Sequence, residues 1–108
     1  MKTTFGAYLR QKRKEMGLTL TQLAARLGLD SANLSKIENG KREFDEKRLS
    51  ILAEVFDTDI DELRDEFYSE QIAKKLYENR CSDNVLKLAE EKVKYYKNKN
   101  SKQMKIKL

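Results

Sequence analysis

Two short helices separated by a tight turn are predicted between Thr19 and Gly40, and this stretch constrains how the whole chain can fold. Thr19 can cap the first helix, and Gln22 stands where its side chain can complete a capping box. Gly28 suits the left-handed residue that ends a helix, and Asp30 can cap the second helix. Helices of about two turns do not persist alone in water. The pair must therefore pack against a scaffold supplied by the rest of the chain.

The second of these helices has one apolar face and one polar face. Leu34 and Ile37 are three residues apart and point to the same side, toward a core. The opposite, outer face consists of small, polar or basic residues, namely Ser31, Ala32, Asn33, Ser35 and Lys36. A face of this composition is not needed for packing, so it is free for contacts with a ligand or partner.

Three further predicted helices supply the scaffold. The first spans Phe5 to Met16, and the fourth runs from Glu46 to Phe56 with apolar residues at helical spacing. A fifth begins near Ile60. The sequence therefore predicts an all-α fold with a five-helix domain over residues 5–66. Its expected core is Leu9, Leu23, Ala24, Leu27, Leu34, Ile37, Leu49, Leu52, Ala53, Phe56, Ile60 and Leu63.

Residues 67–98 are predicted to form a two-helix extension. Ser69 can cap a helix that carries Ile72 and Leu76, and Ser82 can cap a second. The second helix presents an apolar stripe that includes Val85, Leu88, Val93 and Tyr96. These apolar stripes are expected to pack either against the domain or against a second copy of the chain. Residues 99–108 are rich in lysine and poor in apolar residues, so we expect disorder there.

Charge is divided into three blocks. Residues 1–42 carry nine Lys or Arg and three Asp or Glu, a balance of +6. Residues 43–66 carry three against ten, a balance of −7, and residues 67–108 carry eleven against five, again +6. The first basic block coincides with the paired short helices, and basic faces attract phosphate backbones.

Several function classes are disfavoured by what the sequence lacks. The chain has no His and one Cys, which excludes an ordinary zinc site and a His-based catalytic triad. It has no glycine-rich phosphate loop. We therefore expect no cofactor, no metal and no enzymatic activity. The absence of an apolar run of ~18 residues and of a secretory signal, together with the lone Cys81, favours a cytoplasmic protein.

The pattern resembles the Cro/C1-type (XRE class) helix-turn-helix regulators over roughly residues 5–66. The matching residues are Leu9, Arg10, Arg13, Gly17-Leu18-Thr19, Leu23-Ala24, Leu27-Gly28, Leu34-Ser35-Lys36-Ile37-Glu38 and Asn39-Gly40-Lys41. The resemblance implies a lambda-repressor-like fold and binding to double-stranded DNA. Leu20 departs from the pattern, because the family usually has a Gln there that contacts a phosphate.

The resemblance also implies roles for individual residues. The recognition helix, about residues 31–39, would enter the major groove, where Ser31, Ala32, Asn33 and Lys36 would meet base edges. Phosphate contacts would fall to Thr21, Gln22, Ser35, Lys41 and Arg42. Arg13 is expected to pair with Glu38, which would pin the recognition helix and neutralise an acid beside the DNA.

Two interpretations from different classes remain open at this stage. The first is a repressor-like transcriptional regulator that binds a near-palindromic operator as a homodimer, with Ile72, Leu76, Val85, Leu88, Val93 and Tyr96 in the dimer interface. It could serve a phage, a toxin-antitoxin operon or, as the tail loosely suggests, a restriction-modification system. The second is an antitoxin that occupies a toxin protein with its C-terminal helices and autoregulates its operon. A ligand-sensing regulator is disfavoured, because a helical extension of 42 residues leaves little room for a ligand cavity.

Overall fold

The computed structural model describes the backbone of residues 4–107 and the side chains of residues 4–100, and it contains helices and no strand within that range. The helices are α1 (Phe5–Glu15), α2 (Leu20–Leu27), α3 (Ser31–Glu38), α4 (Leu49–Phe56), α5 (Ile60–Glu78) and α6 (Asn84–Lys107), with a short 3-10 turn at Glu46–Arg48. The all-α class and the five-helix domain followed by a C-terminal extension are confirmed. None of the described helices is both long and apolar enough to cross a membrane.

Local hydrogen bonds set the boundaries of α2 and α3 as the sequence predicts. The Thr19 hydroxyl accepts from the amide of Gln22 at 3.1 Å, and the Gln22 side-chain oxygen accepts from the amide of Thr19 at 2.9 Å. Gly28 ends α2 in the left-handed region with φ 71°. Asp30 caps α3, because its carboxylate accepts from the amide of Asn33 at 2.7 Å. The turn between the helices is therefore fixed by its own residues.

One apolar core lies between α1 and the first part of α5. All of the predicted core residues are buried except Ile60, which packs partly buried against the core. Three aromatic residues outside the expected core list, Phe5, Phe44 and Phe67, are also buried in this core. The Phe5 ring lies 5.5 Å from the ring of Phe44 and 5.5 Å from that of Phe67. These rings join α1 and α5 to the loop that follows α3, so the loop is anchored at Phe44.

A close backbone approach joins α1 to the end of α3. A Cβ placed on Gly6 would lie 2.3 Å from the carbonyl oxygen of Ile37 and 2.7 Å from that of Glu38. Real Cβ atoms essentially never come that close to other atoms. Only glycine lets α1 reach α3 here, because it has no Cβ.

Acidic residues of α5 bind α1. The Glu62 carboxylate accepts from the Tyr8 hydroxyl at 2.7 Å, and it lies 3.9 Å from the Lys12 ammonium. Glu70 accepts from the amide of Phe5 at 2.9 Å. Part of the acidic block is therefore used to hold the scaffold helices together. The pKa of Tyr8 is raised, first by burial and then by its hydrogen bond to Glu62.

One predicted boundary is wrong. The fifth helix and the first extension helix are one continuous helix, α5, so Ser69 does not cap a new helix. The Ser69 hydroxyl instead donates to the carbonyl of Glu66 at 3.1 Å within the helix. The start of the fourth helix at Glu46 agrees with the prediction, and its first turn, Glu46–Arg48, is a 3-10 turn whose cap is Asp45, which accepts from the amide of Lys47.

The chain divides into two compact units, Met1–Ile72 and Ala73–Leu108. The division falls within α5, and the domain boundary after residue 66 stays a prediction. The second unit contains the end of α5, a turn at residues 79–83 and α6. The backbone of α6 is helical through Lys107, and disorder of residues 99–108 stays a prediction. Leu108 lies outside the described residues.

Candidate nucleic-acid interface

The outer face of α3 is the centre of the candidate site. Leu34 and Ile37 are buried in the core, which fixes the rotation of the helix about its axis. That rotation leaves Ser31, Ala32 and Lys36 exposed, and Asn33 and Ser35 half-buried. The structure thus brings the four residues predicted to read bases onto one surface.

Arg13 and Glu38 hold the end of α3 from inside the protein. The Nε and Nη2 atoms of Arg13 donate to the two Glu38 carboxylate oxygens at 2.7 and 3.0 Å. Nη1 donates to the carbonyl of Leu18 at 2.9 Å. Arg13 is 8% exposed and Glu38 is 7% exposed, so this is a buried two-pronged ion pair. Donation to the Glu38 carboxylate raises the pKa of Arg13, and the pairing neutralises the one acidic residue within α3.

The side chain of Asn33 lies between two charged groups. Its Nδ2 donates to one oxygen of the Asp30 carboxylate at 3.1 Å. Its Oδ1 accepts from Nη1 of Arg42 at 2.6 Å. Arg42, which follows α3 in the chain, is thereby tied back to the first turn of that helix. No sequence pattern indicates this link, because the two residues are nine positions apart and Arg42 lies outside the helix.

The residues predicted to contact phosphates surround this face. Thr21 and Gln22 are exposed at the start of α2, and Lys41 and Arg42 are exposed beyond the end of α3. The side-chain oxygen of Gln22 accepts the capping hydrogen bond, so the NH2 group of Gln22 is left to donate to a phosphate. The Ser35 hydroxyl accepts from the Asn39 side chain at 3.4 Å.

Two further residues brace the site. Leu20, where the family usually has Gln, packs partly buried against the core, so it supports α2 by apolar contact. Arg48 donates through Nε to the carbonyl of Leu27 at 2.9 Å and lies 3.5 Å from that of Gly28. A cation at the end of α2 satisfies its last carbonyls and suits the helix dipole. Arg48 was missed because this contact joins residues about 20 positions apart.

The residues predicted for dimerisation lie on two helices of the extension. Ile72 on α5 and Leu88, Val93 and Tyr96 on α6 are exposed, whereas Leu76 and Val85 are half-buried. Exposed apolar residues also include three that the prediction did not name, Tyr77, Leu86 and Tyr95. The apolar surface of α6 is therefore broader than the predicted stripe.

Comparisons with known proteins agree with this geometry. A family model described as helix-turn-helix matches residues 9–63, about half of the chain. An HTH-type transcriptional regulator of Bacillus subtilis (strain 168), RghRB, is 55% identical over 38 residues, which cover 35% of this chain and 27% of that protein. The chain thus matches only about a quarter of that curated relative.

Two solved structures are also similar. The restriction-modification controller protein C.AhdI from Aeromonas hydrophila shares 34% identity, with a TM-score of 0.50, over 55% of this chain and 86% of that chain. SinR, a master regulator for biofilm formation, in complex with DNA, shares 30% identity, with a TM-score of 0.51, over 57% of this chain and 100% of that chain.

One of these proteins is named an HTH-type transcriptional regulator, and the structure of another is of a complex with DNA. The chain belongs to the helix-turn-helix family, and its predicted resemblance to the Cro/C1-type (XRE) members is confirmed.

Proposed function

We propose that the protein is a sequence-specific, repressor-like transcriptional regulator that binds double-stranded DNA through α3. The observation that carries this proposal is the polar outer face of α3, held rigidly by buried leucine and isoleucine side chains and by the Arg13–Glu38 pair. A helix with a fixed rotation and a short polar face can enter the major groove with its N-terminal residues toward the bases. The SinR complex with DNA supports this use of the fold.

Four side chains are proposed to read base edges. Asn33 can pair with adenine through one donor and one acceptor, and Lys36 can donate to guanine. Ala32 can contact a thymine methyl, and Ser31 can donate or accept. Their common position on the outer face of α3, where Ser31, Ala32 and Lys36 are exposed and Asn33 is half-buried, supports this assignment.

Phosphate contacts are proposed for residues at the edges of the face. Lys41 and Arg42 are exposed cations just beyond α3, and Thr21, Gln22 and Ser35 can donate from α2 and α3. Such contacts fix the position of the protein on DNA without reading sequence. They also make binding weaken steeply as salt rises.

A selection experiment tests sequence-specific binding. The full chain is incubated with a pool of duplexes with a random central region, and the retained duplexes are sequenced. We expect one preferred sequence, and Lys36→Ala should relax the preference at one base pair, at a cost of about 1–3 kcal/mol there. Lys94→Ala is the matched control, because Lys94 is an exposed cation on α6 that pairs with Glu90. Absence of any enrichment at low salt would reject the proposed function.

We further propose that the regulator acts as a homodimer on a near-palindromic operator. One copy provides one recognition helix of eight residues, and so short a helix makes few base contacts. Two-fold regulators gain specificity by reading half-sites about 34 Å apart with two copies. A fixed spacing between the copies requires an interface outside the DNA face.

The exposed apolar residues of the extension are the proposed interface. Leu88 is 54% exposed and Val93 is 50% exposed, and both lie on α6 in the second unit. Leu76 and Val85 line an apolar groove in the same unit. Burial of this surface against a second copy would be favourable, by about 25 cal/mol for each Å² of apolar area removed from water.

Leu88→Glu tests the interface without altering the DNA face. We expect monomers by sedimentation at tens of micromolar and a large loss of operator affinity, with the fold of residues 5–66 kept. Lys87→Glu is the control, because the adjacent side chain points about 100° away around the helix. If the wild type sediments as a monomer and Leu88→Glu binds DNA normally, the extension does not build a dimer.

The genetic setting is a separate proposal. The likeness to C.AhdI supports a controller of restriction-modification genes. In the antitoxin alternative, the same exposed apolar surface of the second unit would bind a toxin. Co-expression with the products of neighbouring genes distinguishes these settings, because only an antitoxin would form a stoichiometric complex that Leu88→Glu disrupts.

A further inference from the structure

The amide group of Asn33 is held at both ends by groups of opposite charge. Asp30 uses one carboxylate oxygen to cap the Asn33 backbone amide at 2.7 Å and the other to accept from Asn33 Nδ2 at 3.1 Å. On the other side, Arg42 donates to Asn33 Oδ1 at 2.6 Å. The three side chains form a chain of hydrogen bonds across the surface proposed to meet DNA.

These partners determine which way the amide points. A rotation of about 180° would exchange the oxygen and nitrogen of the Asn33 side chain. The oxygen would then face the Asp30 carboxylate, and the NH2 group would face the Arg42 guanidinium. Both contacts would become repulsive, since an ionised carboxylate only accepts and a guanidinium only donates. The order of donor and acceptor on Asn33 is therefore set by Asp30 and Arg42 together.

These two hydrogen bonds leave part of the hydrogen-bonding capacity of the Asn33 amide unused. A side-chain amide has two N–H donors and two acceptor lone pairs on its oxygen. Asp30 takes one donor and Arg42 takes one lone pair. One donor and one acceptor remain, and adenine requires that pair at its N7 atom and its N6 amino group. A held amide can thus read a base in one orientation.

We propose that Arg42 is a positioning residue for base recognition by Asn33, in addition to any contact it makes with a phosphate. This inference rests on the proposed function, since it concerns how α3 selects sequence. The two roles of Arg42 are compatible. Its guanidinium has five N–H donors, and the bond to Asn33 uses Nη1 alone of the two terminal nitrogens.

Loss of Arg42 and loss of its neighbour Lys41 should affect DNA binding differently. A residue that contacts only phosphate lowers the affinity for all sequences by a similar factor. A residue that positions a base reader also lowers the discrimination at one base pair, the pair read by Asn33. Lys41 is exposed, adjacent and equally charged, so Lys41→Ala is the matched control.

The test uses the full chain and the duplex that the wild type prefers in the random-pool selection. Each base pair of that duplex is varied in turn, and the ratio of dissociation constants is measured for wild type, Asn33→Ala, Arg42→Ala and Lys41→Ala. Asn33→Ala should lose about 5- to 150-fold discrimination at one base pair. Arg42→Ala should lose about 5-fold at the same base pair. Lys41→Ala should leave every ratio unchanged while weakening all duplexes.

A second variant tests the orientation argument without removing a cation. Asp30→Asn keeps a good helix cap, but its amide nitrogen would face Asn33 Nδ2, donor against donor. It should lower discrimination at the same base pair as Arg42→Ala. Thermal unfolding is measured alongside, and each variant should stay folded.

The outcomes separate this inference from the proposed function. If the wild type selects no sequence, both are rejected. If the wild type selects a sequence but Arg42→Ala weakens all duplexes by one common factor, only the positioning role of Arg42 is rejected. The same holds if Asn33→Ala changes no base preference.

Discussion

Replacing Gly6 with alanine gives a prediction in which two physical effects have opposite signs. Alanine is the better helix former, and within a helix it is worth up to about 1 kcal/mol over glycine. Judged on α1 alone, Gly6→Ala should therefore stabilise the protein. The structure predicts the reverse, because the new methyl group would lie 2.3 Å from the carbonyl oxygen of Ile37.

The size of the effect follows from that distance. Ordinary van der Waals contact for a Cβ begins at 3.4 Å, so α1 and the end of α3 must separate by about 1 Å. The second obstacle, the carbonyl of Glu38 at 2.7 Å, is also backbone and cannot rotate away. Overpacking that moves backbone costs about 1–3 kcal/mol. The same shift would stretch the Arg13–Glu38 hydrogen bonds and change the angle at which α3 is presented.

Urea unfolding followed by circular dichroism measures the effect. With the propensity gain of about 1 kcal/mol subtracted from the overpacking cost, we expect Gly6→Ala to lower the free energy of unfolding by up to about 2 kcal/mol and to reduce affinity for the preferred duplex. Ser50→Ala, at an exposed position in α4, is the control for helix propensity and should change stability by less than about 0.5 kcal/mol. A Gly6→Ala protein that is as stable as the wild type and binds DNA equally well would refute the close approach of α1 to α3.

Three other predictions concern the supports of the helix pair. Arg13→Ala or Glu38→Ala alone should lower the free energy of unfolding by about 3–5 kcal/mol, because each leaves a lone buried charge. The double variant should lose less than the sum of the two single losses. A coupling energy near zero in this double-mutant cycle would show that the two residues do not stabilise the fold as a pair. Thr19→Ala should lower stability by about 0.5–2 kcal/mol through loss of the α2 cap, a value that denaturant midpoints can check. Arg48→Ala should lower the free energy of unfolding by about 1–3 kcal/mol, because Arg48 binds the carbonyls of the turn after α2. Lys47→Ala, which removes a neighbouring cation without that contact, should change it almost not at all. Equal denaturant midpoints for the two variants would contradict this.

The sequence predicted most of the helix pair because its boundaries depend on neighbouring residues. The Thr19–Gln22 capping box, the left-handed Gly28 and the Asp30 cap each involve residues at most four apart. The buried faces of α2 and α3 followed from the spacing of apolar residues. The Arg13–Glu38 partnership came from the resemblance to a family, because nothing in the spacing of residues 25 positions apart indicates a contact.

The features that the sequence analysis missed depend on tertiary contacts. A glycine near the start of a helix carries no sequence signal of a contact, and the role of Gly6 appears only when the backbone of α3 is placed against it. Ser69 has the residue type of a helix cap, but burial of Phe67 inside the core carries α5 through that position. The bond from Arg42 to Asn33 requires the loop after α3 to turn back along the helix.

The most direct test of the central claim is whether α3 determines sequence preference. Binding of the labelled preferred duplex and of an unrelated duplex is measured by fluorescence anisotropy from about 50 to 200 mM salt. For the wild type, we predict tight, strongly salt-dependent binding with a clear preference for the selected duplex. The Asn33→Ala, Lys36→Ala double variant should stay folded and bind both duplexes alike. Wild-type preference retained in the double variant, or no duplex binding by the wild type at the lowest salt, would contradict the claim.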